Sequence, residues 1–214
     1  MRLTHNQFIY NGLVSYWKME WNSTDSIWWN NWTGTSITYS TANGKIGQWA
    51  WFNGTTSNIS IANSSNLNIT NDISIFCWIN AWAQSNTYSA FIEKHYAQSY
   101  YFWYWGAKKL SFFYGWTEIT TTSDQIVEWT WQHVWVTYNR SSQTWKFYVN
   151  WTNVQTFTAF NPTVTWWTTT VLLWKQQTAS RWYNGKMDEV GIYNRTLSDN
   201  EIAVLYSSWV WTTF

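Results

Sequence analysis

The feature that most constrains the fold is a series of short runs rich in β-branched and aromatic residues, separated by segments of Asn, Gly, Ser and Thr. Such runs are typical of β-strands, and the residues between them are typical of turns. About a dozen strands joined in this way predict a β-sandwich of antiparallel sheets. The predicted strands are Leu13–Met19, Ala50–Phe52, Asn58–Ala62, Ile73–Ile79, Tyr88–Lys94, Tyr100–Tyr104, Lys109–Tyr114, His133–Tyr138, Trp145–Val149, Val154–Phe157, Val171–Trp174 and Lys186–Tyr193.

A helical pattern is clear only near the C-terminus. Ser198 is a favourable N-cap residue, and Glu201 follows three residues later, which is the spacing of a capping box. Apolar residues then recur at helical spacing at Ile202, Leu205 and Tyr206. The sequence therefore predicts one short helix, Ser198–Tyr206, that packs against the sandwich.

Composition argues against several functional classes. The formal net charge is +1, only 11% of the residues are charged and no basic run is present, so we expect no nucleic-acid partner. No stretch approaches the length of a membrane-spanning helix, so we expect no membrane insertion. Cys77 is the single cysteine, so no internal disulfide can form. Its position in an apolar strand predicts a buried, unreactive side chain.

Several segments, taken in order, resemble LamG-like jelly-roll domains of the concanavalin A-like lectin/glucanase superfamily. They are Gly12–Glu20, Gly44–Gln48, Trp51–Gly54, Asn66–Trp78, Trp131–Tyr138, Lys146–Asn150 and Trp182–Tyr206. The resemblance implies an all-β fold, a two-sheet antiparallel jelly-roll sandwich with a short C-terminal helix. It also implies one domain over residues 12–207, with an N-terminal extension at 1–11 and a C-terminal tail at 208–214.

The resemblance implies a binding function, and carbohydrate is the ligand that it favours most. We expect a non-catalytic extracellular or cell-surface module that binds a glycan or another extracellular protein and belongs to a larger chain. The N-terminal residues lack an apolar signal-peptide core, so an export signal would lie outside this sequence. Sugar recognition uses aromatic faces with nearby amides and hydroxyls. The predicted ligand-binding loop residues are Trp28, Asn30, Tyr96, Tyr114 and Trp166.

Two alternative functions remain open. One is an adhesion or structural module without a sugar site, and the other is a divergent glycoside hydrolase relative. Glycosidases need two positioned carboxylates. Superfamily glucanases carry a Glu-x-Asp-x-x-Glu run, which this sequence lacks. We therefore predict that the protein is not an enzyme.

Asp188 is the acidic residue with the most unusual context. Strict strand alternation places it on the same face as Val190 and Ile192, where a carboxylate needs a partner. The resemblance implies a structural Ca²⁺ there, with Glu20 and Asp25 as further ligands. The alternative is that Asp188 accepts hydrogen bonds at a loop corner.

The chain contains 23 Trp and only 9 Gly, whereas a turn-rich β protein ordinarily has more glycine than tryptophan. At several positions where the family has Gly, this sequence has Trp. At Trp151, an Asn-Trp pair stands where a two-residue hairpin turn favours Asn-Gly with positive φ at both residues. Two interpretations are open. These tryptophans form sugar-stacking surfaces, or the source organism reads as glycine a codon that is translated here as tryptophan.

Overall fold

The computed structural model describes residues 9–42, 44–83, 88–96, 98–106, 108–165, 168–176 and 182–207. The predicted tail at 208–214 and most of the predicted extension at 1–11 lie outside these ranges. The described strands are β1(Leu13–Trp17), β2(Trp32–Thr35), β3(Thr38–Ser40), β4(Trp49–Asn53), β5(Asn58–Ile61), β6(Ile73–Ala81), β7(Tyr88–Glu93), β8(Tyr100–Trp105), β9(Leu110–Tyr114), β10(Thr117–Thr120), β11(Trp131–Asn139), β12(Thr144–Val149), β13(Thr152–Phe157), β14(Val171–Leu173) and β15(Asn184–Tyr193). A 3₁₀ turn covers Ser65–Leu67, and the helix α1 covers Asp199–Ser207.

The strands form two antiparallel sheets, which confirms the predicted all-β sandwich. The eight-stranded sheet has the order β13-β12-β11-β6-β15-β4-β3, and β1 also pairs with β15. The seven-stranded sheet has the order β10-β9-β8-β7-β14-β5-β2. Neighbours in both orders are often distant in sequence, so chain crossovers between the sheets build a jelly roll rather than a meander.

The main core lies between the sheets and is unusually aromatic. It draws Ile75 and Val136 from the eight-stranded sheet and Phe102 and Leu173 from the seven-stranded sheet. Alternation along each strand sends every second side chain into this layer. Cys77 is also buried in this core, as predicted.

A second apolar cluster covers part of the outer face of the eight-stranded sheet. Phe76 and Trp135 stack there with ring centroids 4.4 Å apart, and Ile202 and Leu205 of α1 belong to the same cluster. The predicted capping box of this helix is present. The Ser198 backbone N–H donates to Glu201 Oε2 at 2.8 Å, and the Glu201 backbone N–H donates to Ser198 Oγ at 3.3 Å.

A β-bulge interrupts β15 at Asp188. Glu189 has a φ of 50°, and the register with β6 shifts after Asp188. Because the bulge adds one residue to the strand, alternation restarts out of phase. Val190 and Ile192 face the core between the sheets, whereas Asp188 pairs with Trp78, outside that core. The prediction that Asp188 shares a face with Val190 and Ile192 is therefore wrong.

Among the tryptophans that the structure describes, three have the left-handed backbone conformation that favours glycine. The φ angles are 63° for Trp129, 66° for Trp151 and 73° for Trp174. In the β12–β13 hairpin, Asn150 has a φ of 48° beside Trp151, so both central residues have the predicted positive φ. A side chain with a Cβ is strained in this conformation.

No helix within the described ranges has the length and apolar character needed to span a lipid bilayer.

Candidate functional site

The outer face of the seven-stranded sheet carries a separate aromatic cluster, here called the aromatic face. Tyr101, Trp103 and Phe113 form its centre, and Tyr88 and Trp105 pack against them. The cause is the sequence of β8, in which all six residues are aromatic. Alternate side chains of β8 enter the core, and the others stand on the outer face.

The three central rings of the aromatic face are nearly parallel, whereas those of Tyr88 and Trp105 are tilted against them. The ring centroids of Tyr101 and Trp103 are 5.4 Å apart, and the angle between the two ring planes is 3°. The ring planes of Tyr101 and Phe113 make an angle of 8°. The Tyr88 centroid lies 4.9 Å from that of Trp103 and 4.7 Å from that of Trp105. Such a stack fixes each ring through its neighbours, because offset and edge contacts between aromatic rings are favourable. The result is a pre-organised apolar cluster whose central rings, Tyr101 and Trp103, are at most 2% exposed, with Tyr88 and Trp105 partly exposed at its edge.

The strand register extends this surface into a row across the sheet. Residues directly opposite on paired strands share a face. From β5 to β10 the row contains Ser60, Leu172, Glu93, Tyr101, Phe113 and Glu118. Tyr101 and Phe113 form the aromatic part of the row, and Ser60, Leu172 and Glu93 form a mainly polar part beside it. In this polar part, Ser60 and Leu172 line a shallow groove of about 370 Å³ together with Thr168, Thr169 and Thr170.

A loop that borders the row is anchored by a buried lysine. Lys94 Nζ donates to Asn63 Oδ1 at 2.6 Å and to the Thr169 carbonyl at 3.3 Å, while Thr169 Oγ1 donates to the Lys94 carbonyl at 2.6 Å. Burial lowers the pKa of Lys94 to about 8. Further along the same loop, the Thr165 backbone N–H donates to the Gln98 carbonyl at 3.0 Å. These bonds hold the hydroxyl-rich wall of the groove in place.

One predicted ligand-binding residue lies at the aromatic face. Tyr96 is 37% exposed, and its ring meets that of Phe113 edge-on at 4.9 Å. Trp28 is exposed elsewhere in the structure, and Trp166 lies outside the described residues.

Two other predicted ligand-binding residues are not available to a ligand. Tyr114 ends β9 with its ring fully buried in the core and its hydroxyl donating to the Asn71 carbonyl, so its prediction as a loop contact is wrong. Asn30 is 5% exposed, and its side chain joins Ser15 and Ser64. Asn30 lies in the connection between β1 and β2 and Tyr114 at the end of β9, and both side chains are buried.

Sequence reasoning missed the centre of the aromatic face. The signal was present in β8, where six consecutive aromatic residues cannot all enter one core layer. An all-aromatic strand therefore indicates a second apolar surface on the other side of the sheet.

Two of the three predicted calcium ligands reach the same loop. Asp188 is fully buried, and its Oδ2 accepts a hydrogen bond from the Ile46 backbone N–H at 2.9 Å. Its Oδ1 accepts none from the residues that the structure describes. Burial, with a contribution from the Glu20 carboxylate, raises the pKa of Asp188 well above its usual value. Glu20 Oε1 accepts a long hydrogen bond of 3.4 Å from the Gln48 backbone N–H.

Asp25 has a different role. Its Oδ1 accepts hydrogen bonds from the backbone N–H groups of Tyr16 at 2.9 Å and Ile27 at 3.1 Å, which ties its loop to β1. Burial raises the pKa of Asp25 to about 6. Within the described ranges, no three His, Cys, Asp or Glu side chains are grouped to hold a metal ion. Asp188 and Glu20 have the oxygen chemistry that Ca²⁺ prefers, so calcium stays a prediction that rests on these two residues.

The acids of the row are too far apart for paired catalysis. Glu93 lies on β7 and Glu118 on β10, with β8 and β9 between them. Three strand spacings amount to roughly 14 Å. Glycosidase carboxyl pairs are separated by about 5–9.5 Å.

Comparisons with known proteins agree with this architecture. The laminin G model of the concanavalin A-like lectin/glucanases superfamily matches residues 53–203. No curated protein matches the sequence. Among solved structures, domain 4 of AbnA, a GH43 extracellular arabinanase from Geobacillus stearothermophilus in complex with arabinotriose, has a TM-score of 0.73 at 19% identity. That match covers 91% of this chain and 98% of the other.

Two neurotoxin structures are also similar. Botulinum neurotoxin type C, whose cell entry is described as dependent on interaction with two ganglioside molecules, has a TM-score of 0.72 at 13% identity over 94% of this chain. The binding domain of botulinum neurotoxin DC, in complex with rat synaptotagmin II, has a TM-score of 0.70 at 15% identity over 92% of this chain. This chain covers 52% of each of those chains, about half of their length. The family match extends over more than half of the sequence, and the protein therefore belongs to the concanavalin A-like lectin/glucanases superfamily.

Proposed function

We propose that this domain is a non-catalytic carbohydrate-recognition module of an extracellular protein. The observation that carries the proposal is the row on the seven-stranded sheet, where a fixed aromatic cluster, accessible at Tyr96 and Trp105, adjoins a hydroxyl-lined groove. Sugar rings have apolar C–H faces and polar edges. A row with stacked rings at one end and hydroxyl groups at the other is complementary to both.

The size of the row suits a short oligosaccharide. From β9 to β5 it crosses four strand spacings, roughly 19 Å. We propose that sugar rings contact Tyr96, Trp105 and Phe113 at the aromatic end. The hydroxyls of Thr169 and Thr170 would then meet sugar hydroxyls at the groove end.

The structural neighbours support this choice without deciding it. The arabinanase domain was solved with arabinotriose, and the type C toxin is described as dependent on gangliosides. The arabinanase is described as extracellular and the type C toxin by its entry into cells, which supports an extracellular location for this protein. The separation of Glu93 and Glu118 supports a module that binds without cleaving.

The test is a glycan array followed by titration of Trp105→Ala and Tyr96→Ala with the best ligand. An aromatic stacking contact contributes about 0.5–1.5 kcal/mol, so each variant should lower affinity roughly two- to tenfold. Trp151→Ala is the matched control, because Trp151 is an exposed aromatic residue on the other sheet. Circular dichroism checks that each variant is folded.

The second candidate is a module that binds an extracellular protein and no sugar, which the synaptotagmin complex of a neighbour favours. An array without a ligand would support that alternative. Equal losses for Trp151→Ala and Trp105→Ala would also contradict the proposed site. Hydrolysis of any bound glycan would revive the glycoside hydrolase alternative.

A further inference from the structure

The eight-stranded sheet carries a different surface beside helix α1, here called the Trp51 surface. It consists of one row of paired residues and the adjoining rings of Trp82 and Trp129. The row contains Thr38, Trp51, Lys186, Asn80 and Trp131. The core between the sheets contains Ala50, Phe52, Ile79 and Met187, so the alternate residues of these strands face outward.

The aromatic part of the Trp51 surface is accessible. Trp129 is 62% exposed, and its ring stacks on that of Trp82 with centroids 5.1 Å apart. Trp51 lies next in this chain of rings, with its centroid 6.1 Å from that of Trp82. Trp51, Trp82 and Trp131 are each partly exposed. By contrast, Tyr101 and Trp103 of the aromatic face are at most 2% exposed.

Two lysines lie on tryptophan rings at this surface. Lys186 Nζ is 4.4 Å from the ring centroid of Trp49, and Lys45 Nζ is 4.2 Å from that of Trp78. A cation over an aromatic face is held in position by the ring quadrupole. Among the described residues, neither lysine forms an ion pair. Both ammonium groups therefore keep their charge available to an anion.

The acids near these lysines form no ion pair with them among the described residues. Asp188 is fully buried, and its Oδ2 accepts a hydrogen bond from the Ile46 backbone N–H. Glu20 faces the backbone of Gly47 and Gln48. The surface thus combines exposed and partly exposed indole rings with two positive charges.

We propose that the Trp51 surface binds an acidic oligosaccharide, specifically a chain of uronate residues. The sugar rings would stack on Trp51, Trp82 and Trp129. A carboxylate of the ligand would meet Lys186. This site is separate from the carbohydrate site proposed above and lies on the opposite sheet.

The test is calorimetric titration of the whole chain with trigalacturonate and, for comparison, with neutral galactotriose. Trigalacturonate should bind at least about tenfold more tightly, and the difference should shrink at high salt, because partly exposed charges are screened. Equal affinity for the two ligands would overturn the proposal. No binding of trigalacturonate at millimolar concentration would overturn it as well.

Lys186→Met tests the charge while keeping the apolar stem on Trp49. It should lower trigalacturonate affinity about fivefold or more. Lys175→Met is the matched control, since Lys175 Nζ also lies 4.8 Å from a tryptophan centroid, that of Trp182, outside this row. Equal losses for both variants would show a net-charge effect and refute the site.

Trp51→Ala locates the stacking contact. It should weaken both acidic and neutral sugars at this surface, whereas Trp105→Ala should leave trigalacturonate binding unchanged. Loss of trigalacturonate binding in Trp105→Ala alone would place the ligand on the aromatic face and contradict the proposal. If Trp51→Ala does not fold, the Lys186→Met comparison still decides.

Discussion

Replacing Trp151 by glycine should stabilise the protein. Asn150 and Trp151 have φ angles of 48° and 66°, and the Trp151 side chain is 54% exposed. A left-handed conformation costs a residue with a Cβ about 1–2 kcal/mol. Glycine removes that strain but adds about 0.5–1 kcal/mol of unfolded-state entropy. The net gain in the free energy of unfolding should be about 0.5–1 kcal/mol, or a rise in Tm of roughly 1–4 °C.

Thermal and urea unfolding of paired variants measure this effect. Trp116→Gly is the control, since Trp116 is 68% exposed and is absent from the residues with positive φ. It should lose about 0.5–1 kcal/mol. Trp174→Gly should also destabilise, because the fully buried Trp174 ring packs 4.6 Å from that of Phe52, and the cavity outweighs the relief of strain. A destabilised Trp151→Gly, or equal changes in Trp151→Gly and Trp116→Gly, would refute the strain argument.

Three further predictions concern the helix cap, calcium and pH. Ser198→Ala removes the capping box and should lower the free energy of unfolding by about 1 kcal/mol, measured by urea titration; an unchanged midpoint would contradict the cap's role. Millimolar Ca²⁺ should raise the Tm of the parent but not of Asp188→Asn, and identical responses would exclude the Asp188 site. Because burial raises the pKa of Asp25 from 3.8 to about 6, the folded state binds its proton more tightly, so this contribution to stability is present below pH 4 and is lost as pH rises through 6. Asp25→Asn should flatten the stability profile between pH 4 and 6, and a profile parallel to that of the parent would contradict this.

The strand pattern was predictable because most strands bury one face and carry dense β-forming residues. Every predicted strand overlaps an observed one, with ends within two residues. The strands that were missed, β2, β3 and β10, have only three or four residues each and are mostly exposed or partly buried. Such short edge segments owe their structure to pairing with neighbours rather than to their own propensity.

The candidate site was less predictable, since it depends on which residues the register brings together. The aromatic face joins β7, β8 and β9, and the row through it also needs β5 and β14, which lie far away in sequence. The one extra residue of the β-bulge at Glu189 places Asp188 on the opposite face of the sheet from Val190 and Ile192, contrary to the prediction. Tyr114 shows the same limit, because the sequence places it at a strand end beside Gly115 but does not show that its ring enters the core.

The conformation of Trp151 also bears on the two interpretations of the tryptophan-rich composition. Positive φ at Trp129, Trp151 and Trp174 is the backbone that glycine adopts without strain. The intact mass of the protein purified from its native source distinguishes genuine tryptophan at these positions from glycine.

The central claim is that the outer face of the seven-stranded sheet holds a sugar. The most direct measurement is NMR titration of the ¹⁵N-labelled protein with the glycan selected on the array. The account predicts that the indole N–H signals of Trp103 and Trp105 shift in a saturable way, while the Trp151 signal stays in place. Saturable shifts that leave Trp103 and Trp105 untouched would contradict it.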